Sequence, residues 1–382
     1  MKILGTLSKY KDERNNKYDR IFLITVMLLT IYGSIMVFTS GYAYALFRYD
    51  DAFYFIKRQI VWVALGIITM LLVSRCNNSI FKKVSWQFYV ITLSLLLLTL
   101  LVGFVGNGAK RWISIGPITI QPSEIAKLSI VMMLGWYFDK NENRALNPKN
   151  GRDSFVYGTL LPFTIMLIPI LLVMLQKHLS CIIILGMIGL LLIVMSGINL
   201  KYITAFIVSC VAEASYIAFF TDYTKDRITV WQNPEAYKLT GGWQTLQGLM
   251  AIGSGGLLGK GLGNGELKHC YVSEPANDMI FAILCEELGF IGALIALILF
   301  GVLVCRGFLI GFKSANIYDR LLCIGISTKI AIQTLLNVAV VTNTIPNTGI
   351  SLPFFSYGGS SLLMLFLEMG IILSISKNSN KG

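Results

Sequence analysis

Long apolar stretches separated by short polar ones recur along the chain, and their length is its first structural signal. A hydrocarbon core about 30 Å thick needs roughly 20 apolar residues of helix to cross it. Stretches of that kind fall near residues 21–41, 59–75, 84–105, 123–138, 155–175, 179–197, 202–220, 278–304, 321–342 and 358–376. The pattern predicts an all-α integral membrane protein, a bundle of about ten transmembrane helices. The stretches at 59–75 and 123–138 are short and need residues from their flanks. The turn Gln176–Ser180 between the fifth and the sixth is so brief that these two form a hairpin. Residues 1–20 then make an N-terminal tail, 21–376 a polytopic membrane domain and 377–382 a C-terminal tail. Ala43-Tyr44-Ala45 fits a cleavage motif, yet the apolar run before it is too long for a signal peptide. A retained anchor is expected there.

Composition points the same way. Of 382 residues, 55% are hydrophobic and only 14% charged, where a soluble domain carries about 25% charged residues. Charge placement then gives an orientation. With the N-terminus inside, the inner segments hold nineteen Lys and Arg. The short outer segments hold six: Arg48, Lys57, Arg58, Lys110, Arg111 and Lys177. The positive-inside rule therefore puts both termini in the cytoplasm. Much of the net charge of +12 is then a topology signal, and no nucleic-acid partner is expected. Seven cysteines without paired spacing argue against a disulfide framework, and His178 and His269 are too few for a zinc site.

This orientation leaves three polar segments outside: 106–122, 343–357 and a large extracytoplasmic loop, 221–277, between the seventh and eighth helices. Long loops tend to be functional. Residues 251–265 read AIGSGGLLGKGLGNG, with the glycines and lysine of a phosphate-binding loop. The spacing before Lys260 is wrong, however, and Gly261 stands where Ser or Thr is needed. A flexible or re-entrant loop is expected instead.

Asp278 falls where this loop turns into the eighth helix. Two readings stand: a carboxylate favoured by the helix macrodipole, and a general base at the outer mouth of the bundle. Glu274 sits on loop, so a two-carboxylate glycosidase geometry is not assumed. Glu286 and Glu287 lie about 12 Å deeper along the helix. With Lys127, Glu213, Lys329 and Glu368 they are charges inside the membrane, where ion pairs or a wet cavity are expected.

Residues 106–128 read GNGAKRWISIGPITIQPSEIAKL. Pro122 suits the first turn of a helix on which Glu124 and Lys127 pair at i, i+3. Lys110 and Arg111 run against the positive-inside trend. Either they anchor lipid headgroups beside Trp112, or they clamp a phosphate or diphosphate. In PNTGISLPFFSYGGSSLLMLF, residues 346–366, Pro, Gly and small hydroxyls interrupt an apolar run. Ser360 and Ser361 are expected to face the same outer cavity.

The blocks GAKRW, QPSEIAKL, AIGSGGLLGKGLGNG, Asp278-Met279-Ile280-Phe281-Ala282, EELGFIG and LPFFSYGGSS occur in that order. Together they resemble the signature blocks of the SEDS family (shape, elongation, division and sporulation) of FtsW, RodA and SpoVE. LPFFSYGGSS and NVAVVTNTIPNTGISLP look nearest to the FtsW and SpoVE branch. The resemblance implies a ten-helix peptidoglycan glycosyltransferase that polymerises lipid II outside the cytoplasmic membrane during division, shape maintenance or sporulation. It implies inverting transfer, with Asp278 as general base and undecaprenyl diphosphate as leaving group. Lys110, Arg111 or Lys127 would offset the charge on that diphosphate, with Glu124 and Ser360 also at the substrate site. The implied partner is a class B penicillin-binding protein transpeptidase. No cofactor is implied with certainty; a divalent cation bridging the diphosphate is compatible with the chemistry. A lipid II flippase and a non-catalytic scaffold for a cell-wall synthase are the competing readings, since a fold does not fix a function.

Two departures from the family pattern stand out. Ser273-Glu274-Pro275-Ala276-Asn277-Asp278 occurs where Pro-Glu-x-His-Thr-Asp is common, so Ala276 replaces a histidine and Asn277 a hydroxyl. Gln176-Lys177-His178-Leu179-Ser180 occurs where Gln-Pro-Asp-Leu-Gly is common.

Overall fold

The computed structural model describes residues 18–106, 109–116, 118–145, 150–196, 222–269 and 271–379. Nine of the ten expected spans are helices. The tenth, 202–220 with Glu213, lies outside the described residues. The first three helices are α1 (Arg20–Tyr49), α2 (Tyr54–Arg75) and α3 (Asn78–Val102). A small antiparallel sheet follows, with β1 (Phe104–Gly106), β2 (Ala109–Ile115) and β3 (Ile118–Ile120) in the order β1-β2-β3. Next come α4 (Pro122–Lys140), α5 (Leu161–Leu175) and α6 (Leu179–Met195). A short helix and a π-turn, Gly151–Phe155 and Val156–Leu160, lead into α5. The long polar segment carries α7 (Asp222–Gln232) and α8 (Trp243–Gly255), and the chain ends with α9 (Ile280–Phe312), α10 (Ile317–Val341) and α11 (Gly359–Ser379).

Seven of the described helices are long and apolar enough to cross a membrane. The α6 helix is shorter, and α4 carries Glu124, Lys127, Asp139 and Lys140 along its length. Several hydroxyls inside these helices donate to carbonyls of their own backbone, which suits an apolar surrounding. Thr30 donates to the Val26 carbonyl at 2.8 Å, Ser85 to Phe81 at 2.7 Å and Thr99 to Leu95 at 2.7 Å. The expected short span at 59–75 does borrow from its flank. Its helix starts at Tyr54, whose ring stacks on Tyr49 at 3.8 Å across the turn from α1.

Polar contacts at the two ends of the bundle define its up-and-down course. At one end Asp19 caps α1 by accepting the Phe22 N–H at 2.9 Å and pairs with Arg306 near the end of α9. There Asn78, opening α3, donates to Asp319 at 3.1 Å and accepts from Ser374 of α11 at 2.6 Å. Lys82 pairs with Asp139 of α4 at the same end. The opposite end gathers the sheet, the α5–α6 hairpin, α7, α8 and residues 343–357. Arg111 to Lys177, Ser180 to Thr348, Arg227 to Asn347 and Asn347 to Gln244 are the contacts that join them.

The segment after α8 is not a loose loop. Gly289 breaks α9 with φ 64° and ψ −165°, which strips four backbone groups of their helical partners. Residues 256–261 replace those partners. Phe290 and Ile291 N–H donate to the Gly256 and Leu257 carbonyls at 2.9 and 3.2 Å. Lys260 and Gly261 N–H donate to the Glu286 and Glu287 carbonyls at 3.0 and 2.9 Å. A Cβ on Gly259, where φ is +78°, would lie 2.2 Å from the Glu287 carbonyl oxygen, so only glycine fits. These glycines permit the close backbone approach on which the clasp depends.

Both glutamates then find separate lysines, as their roughly 100° separation on a helix requires. Glu286 accepts from Lys260 at 3.1 Å and from the Glu266 N–H at 2.9 Å. Glu287 accepts from Lys268 at 2.6 Å. These contacts anchor the long segment just below the turn that carries Asp278.

Candidate active site

Asp278 sits ahead of Met279, the N-cap residue of α9, on a turn held from three directions. Asn337 of α10 donates one amide group to two carbonyls, Asp278 at 2.8 Å and Ile350 at 2.6 Å. Ser356 donates to the Asn277 carbonyl at 2.7 Å while accepting the Leu352 N–H at 2.7 Å. The Tyr357 N–H donates to the Ala276 carbonyl at 2.9 Å. Residues 276–278 are thereby bound to residues 350–357. The Ala276 side chain is buried and packs toward α1 beside Gly41. Asn277 donates to Glu274 at 2.6 Å.

The two oxygens of Asp278 differ. Oδ2 receives Gln244 Nε2 of α8 at 3.5 Å, a long hydrogen bond. Oδ1 is shut off from solvent and has no hydrogen-bond partner. Burial, and secondly the nearby Glu274 carboxylate, push the Asp278 carboxyl up from 3.8 to about 6. It remains ionised at neutral pH but holds its proton far more readily than an exposed aspartate. Such a group accepts a proton in a transition state and releases it afterwards.

A narrow cavity lies beside this turn, lined among others by Glu124, Lys329, Gln333, Ser351, Ser356 and Ser361. Ser356 belongs to both features, so the cavity and the Asp278 turn share a wall. Two buried ion pairs meet the cavity: Lys127 with Glu124 at 2.5 Å and Lys329 with Glu368 at 2.6 Å. Ser361 is on the cavity wall; Ser360 is half-buried and is not on it. Of the two expected serines, only one faces the cavity.

The cationic pair on β2 separates. Adjacent strand residues point to opposite faces, and Lys110 is exposed while Arg111 turns inward. Arg111 donates to the Lys177 carbonyl at 2.6 Å, and its buried Nε has no partner. His178 follows, with Nδ1 3.2 Å from Ser123 Oγ at the start of α4. Burial, then the charges of Arg111 and Lys127, push His178 down to about 3, so its ring is neutral. Ser180 donates to the Thr348 carbonyl, tying the α5–α6 hairpin to the same 343–357 segment.

Gln244, Asn337 and Asn347 did not stand out in the sequence. Asn337 carried a usable signal, as an amide in the apolar run LLNVAVV. Gln244 carried none, being one polar residue in a polar segment. Among the described residues no group of three or more His, Cys, Asp or Glu side chains converges.

Comparison with known proteins places the chain in a family and a fold. The family model described as cell cycle protein, FtsW/RodA/SpoVE, matches residues 19–381. Stage V sporulation protein E of Bacillus subtilis is 36% identical over 361 residues, covering 94% of this chain and 96% of its own. The probable peptidoglycan glycosyltransferase FtsW of Geobacter sulfurreducens is 32% identical over 363 residues, covering 94% and 95%. Two solved structures share the fold. One, described as structural coordination of polymerization and crosslinking by a peptidoglycan synthase complex, has a TM-score of 0.80 at 23% identity. It covers 96% of this chain and 99% of its own. The other, rod shape determining protein RodA of Thermus thermophilus, has a TM-score of 0.70 at 24% identity with the same coverage.

Proposed function

The chain belongs to the cell cycle protein family of FtsW, RodA and SpoVE, and from that premise we propose that it is a peptidoglycan glycosyltransferase of the cytoplasmic membrane. Its substrate on this reading is lipid II, and the reaction is inverting transfer on the outer face. The observation that carries the reading is Asp278: a carboxylate with one unpartnered oxygen, raised to about 6, where α8, α10 and residues 350–357 meet.

Asp278 Oδ1 takes the proton of the acceptor GlcNAc 4-hydroxyl. That oxygen bonds to the anomeric carbon of the donor MurNAc as the bond to the diphosphate oxygen breaks. Undecaprenyl diphosphate leaves with the bonding electron pair. Because Oδ1 is closed to solvent, the acceptor reaches it only once the surrounding segments part. Arg111, with an unused buried Nε–H, and Lys127 beside the cavity would offset charge on the departing diphosphate. Lys110, exposed beside Arg111, would act at the entrance, and Glu124, Ser356 and Ser361 would line the path. A divalent cation at the diphosphate would supplement these charges; omitting it without loss of polymer would exclude that part.

The Lys and Arg distribution supports placing Asp278 outside, with residues 1–20 and 377–382 cytoplasmic. Ten spans, counting 202–220, satisfy that sidedness. A class B penicillin-binding protein is the expected transpeptidase partner. The test uses the purified protein with that partner and lipid II. Wild type should polymerise glycan and Asp278→Ala should not. Normal polymerisation by Asp278→Ala would overturn the base assignment. Movement of lipid II between leaflets without polymer would favour a flippase.

A further inference from the structure

The two oxygens of Asp278 are made unequal by a chain of hydrogen bonds with a fixed direction. It starts at a backbone N–H, which can only donate. The Gly349 N–H donates to Asn347 Oδ1 at 3.1 Å. That turns the other end of the Asn347 amide outward, and its Nδ2 donates to Gln244 Oε1 at 3.1 Å. With its oxygen so occupied, Gln244 presents Nε2, its donor end, to Asp278 Oδ2 at 3.5 Å. Amide orientations follow from their networks, and here each is determined by the one before it. Arg227 of α7 reinforces the start by donating to the Asn347 carbonyl.

We propose that Gln244 is a positioning residue whose donor end, oriented by Asn347, holds Asp278 Oδ2 and so selects Oδ1 as the oxygen that takes the acceptor's proton. This rests on Asp278 acting as general base. The backbone N–H groups of Asp278 and Met279 favour the charged carboxylate from its own turn, and the side chains around it are arranged one-sidedly. Glu274, on the same loop, is the charged neighbour and repels a second negative charge. From α10 comes neutral Asn337, spent on the Asp278 carbonyl. From the 343–357 segment comes Gly349, whose φ is +66° and whose place a Cβ would fill to within 3.5 Å of Oδ2. Gln244 is the side chain that donates to the carboxylate itself. The 3.5 Å separation leaves room to shorten when substrate enters and the carboxylate is still charged, as contacts in unliganded sites do.

Two substitutions separate positioning from mere packing. Gln244→Leu keeps bulk and removes the donor. Asn347→Asp keeps the shape and still accepts the Gly349 N–H, but cannot donate, so Gln244 turns over and presents oxygen to Asp278. In both, the rate of lipid II polymerisation by the full chain with its transpeptidase should fall about tenfold in kcat. KM for lipid II should stay within roughly twofold. The acidic limb of the pH profile should move upward by about half a unit or more, because a donor that favoured the charged carboxylate is gone. Gln244→Asn, with a shorter donor arm, should restore part of the rate. Unchanged kcat and an unmoved limb in Asn347→Asp would overturn the proposal. So would losses confined to KM in both variants. Asp278→Asn serves as the separate control. If it still polymerises, the base assignment fails; if it is inactive while both relay variants are normal, only the relay fails.

Discussion

Glu287 receives the Lys268 ammonium at 2.6 Å with both side chains buried, and this pair closes the clasp that holds the long outer segment onto the break in α9. Lys268 also donates to the Gly263 carbonyl at 2.6 Å, so one ammonium ties the clasp to both a carboxylate and the glycine-rich turn. Removing one partner strands a buried charge. Lys268→Met alone should therefore cost about 3–5 kcal/mol, and Glu287→Gln added to it should recover much of that loss. Thermal or denaturant unfolding in detergent measures both. A single-variant loss below about 1 kcal/mol would reduce the pair to the standing of a surface contact.

The backbone half of the clasp is testable by itself. A methyl group on Gly259 would meet the Glu287 carbonyl oxygen at 2.2 Å in a left-handed conformation. Gly259→Ala should destabilise by at least about 1–3 kcal/mol and expose residues 256–268 to protease. Gly253, inside α8, has open space where a Cβ would go. Gly253→Ala should be neutral or stabilising by about 0.5–1 kcal/mol. Equal effects at the two positions would contradict the close approach.

These contacts show where sequence reading succeeds and where it stops. Apolar runs of membrane length are local signals, and nine of the ten are helices. The polar segment 106–122 forms strands that no expectation covers, although the Gly116-Pro117 pair and the Ile113–Ile115 alternation are sequence signals for them. Buried Glu286 and Glu287 announced a need for partners. Their partners, Lys260 and Lys268, were chosen by the Gly289 break, which no periodicity reveals. Asp278 was legible because a linear motif surrounds it. The groups that make its oxygens unequal come from α8, α10 and residues 347–349, and only folding brings them together.

Polymerisation should carry an acidic limb with its midpoint near the raised Asp278 value of about 6. A general base works only when deprotonated, so one unit below that midpoint the rate should be about tenfold lower. Initial rates with lipid II across pH 4.5–8 supply the measurement. A midpoint near the ordinary aspartate value would contradict desolvation as the dominant influence.

The same carboxyl should leave a signature in stability, independent of turnover. Its folded value lies above its unfolded one, so between about pH 4 and pH 6 the folded state binds more protons than the unfolded state. Stability from this group is therefore greatest at low pH and declines as pH rises through that window, above which the fold bears a buried charge. Asp278→Asn removes the charge at every pH. The variant should melt higher than wild type at pH 7.5, with the difference shrinking toward pH 4.5. Glu274→Gln, which removes the neighbouring negative charge, should lower the Asp278 value and narrow the gap at pH 7.5. Melting temperatures of the three proteins at the two pH values decide it. A gap independent of pH would mean that burial does not perturb Asp278, and the buried Oδ1 would then need another explanation.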